Sequence, residues 1–188
     1  MCWSARGSLA TYLFALILGF SALLYKNMPI PLFIFMMVFT HMQLVEYFLW
    51  KNMNNSQLNE FWSKMGAFLL FIEPLAAIYM IPYMKLKIIL AFIYLIGVLI
   101  YVITHKTNYR TKIAPNGHLQ WMFIPDNIVW IIIWMSFFFG SFLIIKRYDM
   151  FLAGLLILLI SIYNYRNYNA WTTMWCWLAI ASWITVYI

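Results

Sequence analysis

Glu73 precedes Pro74 near the middle of a long apolar run. A charged Asp, Lys or Arg at the centre of a membrane helix costs ~2.5–3.5 kcal/mol on the insertion scale, and Glu is chemically close to Asp. Pro74 removes a helical hydrogen bond and strains the turn before it. Such an acid either gives its proton to a freed backbone carbonyl or binds a proton or cation for a purpose. Glu46 and Gln43 lie three residues apart in another apolar run, so on a helix they share one face, which Trp50 extends. Glu46 is four residues from the end of its run, so its carboxyl is also within reach of water. His41, five residues before Glu46, faces elsewhere and reads as a packing histidine.

The chain has two thiols, Cys2 and Cys176. Two cysteines build no disulfide scaffold, so both read as free and buried. Either could serve as a nucleophile if a base such as His118 or Glu46 came within hydrogen-bond reach. Cys2, Cys176, Glu46 and His118 lack the spacing of a zinc site, and no His-Glu-x-x-His, phosphate loop or potassium-filter motif occurs. The last apolar run holds no lysine, which excludes a retinal Schiff base there. No metal and no cofactor is expected.

These residues need helices that cross a bilayer. Of the 188 residues, 66% are hydrophobic and 9% charged. A soluble domain carries roughly 25% charged residues, so here too little polar surface is left to cover a core. A span needs about 20 apolar residues. The pattern predicts an all-α polytopic transmembrane bundle, a single transmembrane domain over 1–188 with seven spans. They fall at about 8–25, 29–50, 61–84, 88–104, 128–145, 150–163 and 170–188. Strands of a membrane barrel would alternate, and these runs are continuous. No cleavable signal peptide is expected, and the first run reads as a signal anchor.

The longest connection, 105–127, contains the turn signal Pro115-Asn116-Gly117, and its second half reads as interfacial or re-entrant. Seven Lys/Arg fall on the N-terminal side and five on the other, a small excess that leans to a cytoplasmic N-terminus. The net charge of +7 lies in short loops, which suits anionic lipid headgroups and gives no track for nucleic acid. Membrane lipids are the expected partners, with a homo-oligomer possible. Glu73-Pro74-Leu75-Ala76-Ala77 can be laid over Cys176-Trp177-Leu178-Ala179-Ile180, a faint echo of an internal repeat.

Met1-Cys2-Trp3-Ser4-Ala5 at the start and Trp175-Cys176 near the end resemble a family of small polytopic membrane proteins. That family occurs in giant DNA viruses and in some fungi and bacteria. Gly117-His118-Leu119-Gln120-Trp121 and Pro125-Asp126-Asn127 are similar in content to its central loop, though in a different order. The resemblance implies a virion or host internal membrane and no particular activity.

With seven spans, Trp3, Gln43, Glu46, His118, Trp121, Trp175 and Cys176 fall in the N-terminal-side leaflet, with Glu73 beneath them. The expectation is one polar cavity with Glu73 at its floor. Indole N–H groups of Trp3, Trp121 or Trp175 would be its donors. The leading function is a small transporter or channel for protons, cations or a small solute. A structural or interaction protein of a membrane is the alternative, and a membrane-embedded thiol or lipid enzyme is the third.

Overall fold

The computed structural model describes residues 4–124 and 128–180, with the backbone alone at 177–179. Seven α-helices lie within these residues: α1 (Ala5–Tyr25), α2 (Ile30–Lys51), α3 (Ser56–Tyr79), α4 (Met84–Thr104), α5 (Ile128–Ile144), α6 (Tyr148–Tyr165) and α7 (Trp171–Ala179). Five of them, α1 to α4 and α6, are long and apolar enough to cross a membrane. α5 has 17 residues, at the short limit for a span. α7 is described over 9 residues, and the remainder of the expected seventh span, 181–188, lies outside the described residues.

Local chemistry sets the helix ends. Ser4 Oγ accepts from Gly7 N–H at 3.1 Å, and Asn55 Oδ1 accepts from Leu58 N–H at 3.0 Å. These N-caps start α1 and α3 earlier than the apolar runs suggest, because a cap belongs to the polar edge of a span. α3 ends at Tyr79 rather than at the expected 84, and α4 begins at Met84 rather than 88. Pro82 accounts for both shifts, since it disfavours helical backbone at Ile81 and removes a donor. Asn169 closes the helical stretch after α6 in the left-handed region, with Ala170 N–H bonded to Tyr165 O.

The connections α1–α2, α2–α3, α3–α4 and α5–α6 are a few residues each, so those helices are antiparallel neighbours. Large residues of α2 pack against small ones. The buried face of α1 is Ser8, Ala15, Gly19 and Ala22, while α2 buries Phe35, Met36, Phe39 and Met42. Small residues let backbones approach where lipid supplies no hydrophobic drive between helices. α2 also contacts α3 and α7, and α3 contacts α4 and α5.

The long connection carries regular structure of its own. It folds as an antiparallel hairpin, β1 (Thr111–Ile113) with β2 (Leu119–Trp121). Pro115-Asn116-Gly117 makes its turn, with Gly117 at φ 80°. Gly117 N–H bonds Ala114 O, and Ala114 N–H bonds His118 O, both at 2.8 Å. This is a three-residue turn that places glycine in the left-handed position. The hairpin is buttoned onto α3: the Asn59 amide donates to Thr111 O and accepts from Thr111 N–H, both at 3.0 Å. Ser63, one turn on, bonds Thr111 Oγ1 at 2.9 Å. On the other flank Thr173 of α7 donates to Leu119 O at 3.1 Å. Behind β2, Phe123 lies over Gly66, where a Cβ would stand 2.9 Å from its ring.

Candidate functional site

Pro74 carries no N–H, so the carbonyl four residues before it, Leu70 O, loses its helical partner. The structure supplies another: Trp134 Nε1 of α5 donates to Leu70 O at 2.6 Å. The next carbonyl, Phe71 O, accepts from Tyr94 Oη of α4 at 3.0 Å. The proline thus ties α3 to α5, and the Tyr94 bond adds a tie to α4. An unpaired carbonyl in an apolar interior would cost about 1–3 kcal/mol, which gives the Trp134 indole its role.

Glu73 stands one residue before this break and is 0% exposed. Neither of its carboxyl oxygens has a hydrogen-bond partner among the described residues. Its proton is therefore not given to the freed carbonyl, Leu70 O, which the Trp134 indole holds. On α2, Thr40, Gln43 and Glu46 are all fully buried on one face. Cys176 of α7 is a free, buried thiol. It lies near enough to Glu73 and Glu46 for both to act on it electrostatically. The fold thus brings Glu46, Glu73 and Cys176 into one interior region between α2, α3 and α7.

The other expected members sit differently. Trp175 is buried, but its N–H donates to Gly154 O of α6 at 3.3 Å. Its ring packs edge-on to Phe39 and Trp134, with centroids 5.6 and 5.7 Å away. Trp121 is buried and stacked on Phe123, and its N–H has no partner among the described residues. Neither indole is a donor to Glu73, contrary to the sequence expectation. Trp175 is drawn to α6 and Trp121 is held in the hairpin. His118 is buried at the hairpin turn, its ring edge-on to Tyr165 at 5.2 Å. Burial pushes its pKa down and favours the neutral imidazole. Trp3, Cys2 and Asp126 lie outside the described residues. His41 is a packing histidine, with Nδ1 2.6 Å from Met37 O and Nε2 3.4 Å from Tyr12 Oη.

A cavity of about 90 Å³ opens between α3, α4, α5, α7 and the hairpin. Tyr94, Gly97, Trp121, Trp130, Trp134 and Cys176 are among its lining residues, and no charged residue among the described ones lines it. The expected polar cavity with Glu73 at its floor is not what this space is, since aromatic rings make its walls and Glu46 and Glu73 do not line it. Cys176 is common to the cavity wall and the acidic region. Carboxyls and rings around a thiol are the reverse of the electropositive setting that a thiolate nucleophile requires, so the geometry gives the thiol-enzyme reading no support. No metal-ligating group of three His, Cys, Asp or Glu residues forms among the described residues.

Trp134, Tyr94 and Asn59 were not singled out by the sequence. Asn59 and Ser63 had a signal, two polar residues four apart at the start of a span. Trp134 and Tyr94 had only the requirement that Pro74 imposes on some donor. No family model matches the chain, and no curated protein or solved structure shows a significant likeness to it.

Proposed function

We propose that this chain is a multi-pass membrane protein of seven spans that conducts or transports protons, cations or a small solute. In this reading Glu73 is the interior proton- or cation-binding group. The observation that carries it is a fully buried acid whose oxygens have no hydrogen-bond partner among the described residues. Stability alone selects against such a group, because an apolar residue of similar volume would remove its desolvation cost. Intramembrane acids of this kind are characteristic of ion and proton pathways. Gln43 and Glu46 extend polar character along α2 towards the hairpin end. The seven-span topology rests on α5, about 25 Å long at 1.5 Å per residue, and on the apolar run 170–188 in which α7 lies. The lipid-facing sides of α1, α4 and α6 are where lipids or a second copy would pack.

The test is flux from liposomes holding the purified chain. pH-dependent release of protons, cations or small solutes is expected, altered by Glu73→Gln. Liposomes tight to all three would refute the reading. They would leave the structural alternative, which the closely packed aromatic core of Phe39, Phe138 and Trp175 favours.

A further inference from the structure

The indoles around the aromatic cavity are not alike. Trp130 Nε1 donates to His105 Nε2 at 3.1 Å, Trp134 Nε1 to Leu70 O and Trp175 Nε1 to Gly154 O. Tyr94 Oη is also occupied, on Phe71 O. Trp121 is 3% exposed, and its N–H has no hydrogen-bond partner among the described residues. Thr172 Oγ1, in the same lining, is likewise buried without one. An indole N–H only donates, so its complement must be an acceptor. A buried donor left unmade is expensive, and the fold has satisfied the neighbouring ones.

The rest of the lining limits what brings that acceptor. No charged residue is present among the described lining residues, which argues against a free carboxylate, a phosphate or an amine. At about 90 Å³ the space is smaller than the ~150 Å³ cavity that takes a benzene ring, so it has room for a few methylenes of a chain and not for a ring. Its direction follows from α4. Tyr101 lies one turn from the C-terminal end of that helix, beside the hairpin, and Gly97 and Tyr94 lie successively deeper. The end with the unpartnered donor is therefore the hairpin end, and the apolar part runs inward.

We infer that the cavity is a binding site for one acyl chain of a membrane lipid, whose ester carbonyl accepts from Trp121 Nε1 while its first methylenes run inward past Gly97 and Trp134. Tryptophan is enriched at the membrane–water interface, so an interfacial Trp121 stands at the depth of such an ester. This inference does not depend on whether the chain transports anything.

The test uses the full chain in nanodiscs and two photoreactive probes of equal length, a diazirine-bearing fatty acyl methyl ester and the matching hydrocarbon. Cross-linked peptides are located by mass spectrometry. The ester should label the α4 and α5 walls near Gly97, Ile131 and Trp134 saturably, and unlabelled ester should compete. Trp121→Phe should weaken the ester about fivefold, the size of one hydrogen bond, and leave the hydrocarbon unchanged. Gly97→Leu should abolish saturable labelling. A Cβ at Gly97 meets nothing within 4 Å, so this change fills the cavity and leaves the thermal midpoint unchanged or higher. Non-saturable labelling spread over outward residues such as Ile93 and Ile103, indifferent to Gly97→Leu, would overturn the site. Equal affinity for ester and hydrocarbon in the wild type would overturn the role of Trp121.

Discussion

Pro74 and its neighbours show how one residue type dictates the partners around it. Trp134→Phe removes the donor to Leu70 O and should destabilise the protein by about 1–2 kcal/mol in a denaturant titration. In a Pro74→Ala background the restored N–H at position 74 takes over that carbonyl. The penalty should then shrink, giving a coupling of about 1 kcal/mol in the double-mutant cycle. Glu73→Leu runs the other way. It exchanges a buried acid with unpartnered oxygens for a side chain of similar volume, so the thermal midpoint should hold or rise while flux is lost. A marked fall in the midpoint would show that Glu73 serves structure. The sequence singled out Glu73 because an acid before a proline in an apolar run is conspicuous. Its surroundings were not legible, because which indole reaches Leu70 depends on how α5 packs against α3.

At the scale of elements, the helices were readable from their apolar runs and the hairpin was not. Three-residue strands carry almost no period-2 signal, and only the Pro-Asn-Gly turn announced them. What holds the hairpin is the Asn59 amide, which meets both backbone groups of Thr111. Asn59→Ala leaves these buried groups unpaired and should cost about 2 kcal/mol, with hydrogen exchange at the Thr111 amide rising in step. His118 makes the same element sensitive to pH. Burial lowers its folded pKa below the ordinary 6.5. Its contribution is therefore fully present above pH 6.5 and is lost as pH falls through the lower, folded value. Protection of the hairpin amides should weaken from pH 7.5 to pH 5, and His118→Gln should flatten that dependence. The expected clustering of His118 and Trp121 with the interior acids was a matter of topology alone. Both do reach the hairpin end of the bundle, but Tyr165 and Phe123 hold their rings there.

For the whole molecule, the exposed faces are those of a protein dissolved in lipid. α4 leaves Ile88, Phe92, Leu99 and Ile103 uncovered, a contiguous apolar side that water would not tolerate. Composition alone made that much clear. Seven spans predict that single cysteines at 52–55, 105–110 and 166–169 are labelled from one side of sealed vesicles. Those at 26–29, 80–83 and 145–147 should be labelled from the other. Labelling of 145–147 from the same side as 105–110 would mean that α5 does not cross. The central claim, that the interior acid exchanges a proton, is met most directly by pH-difference infrared spectra of the reconstituted protein. Wild type should show a carboxylic-acid carbonyl band that changes with pH and is missing from Glu73→Gln. An identical band in both proteins, or none that responds to pH in the wild type, would contradict it.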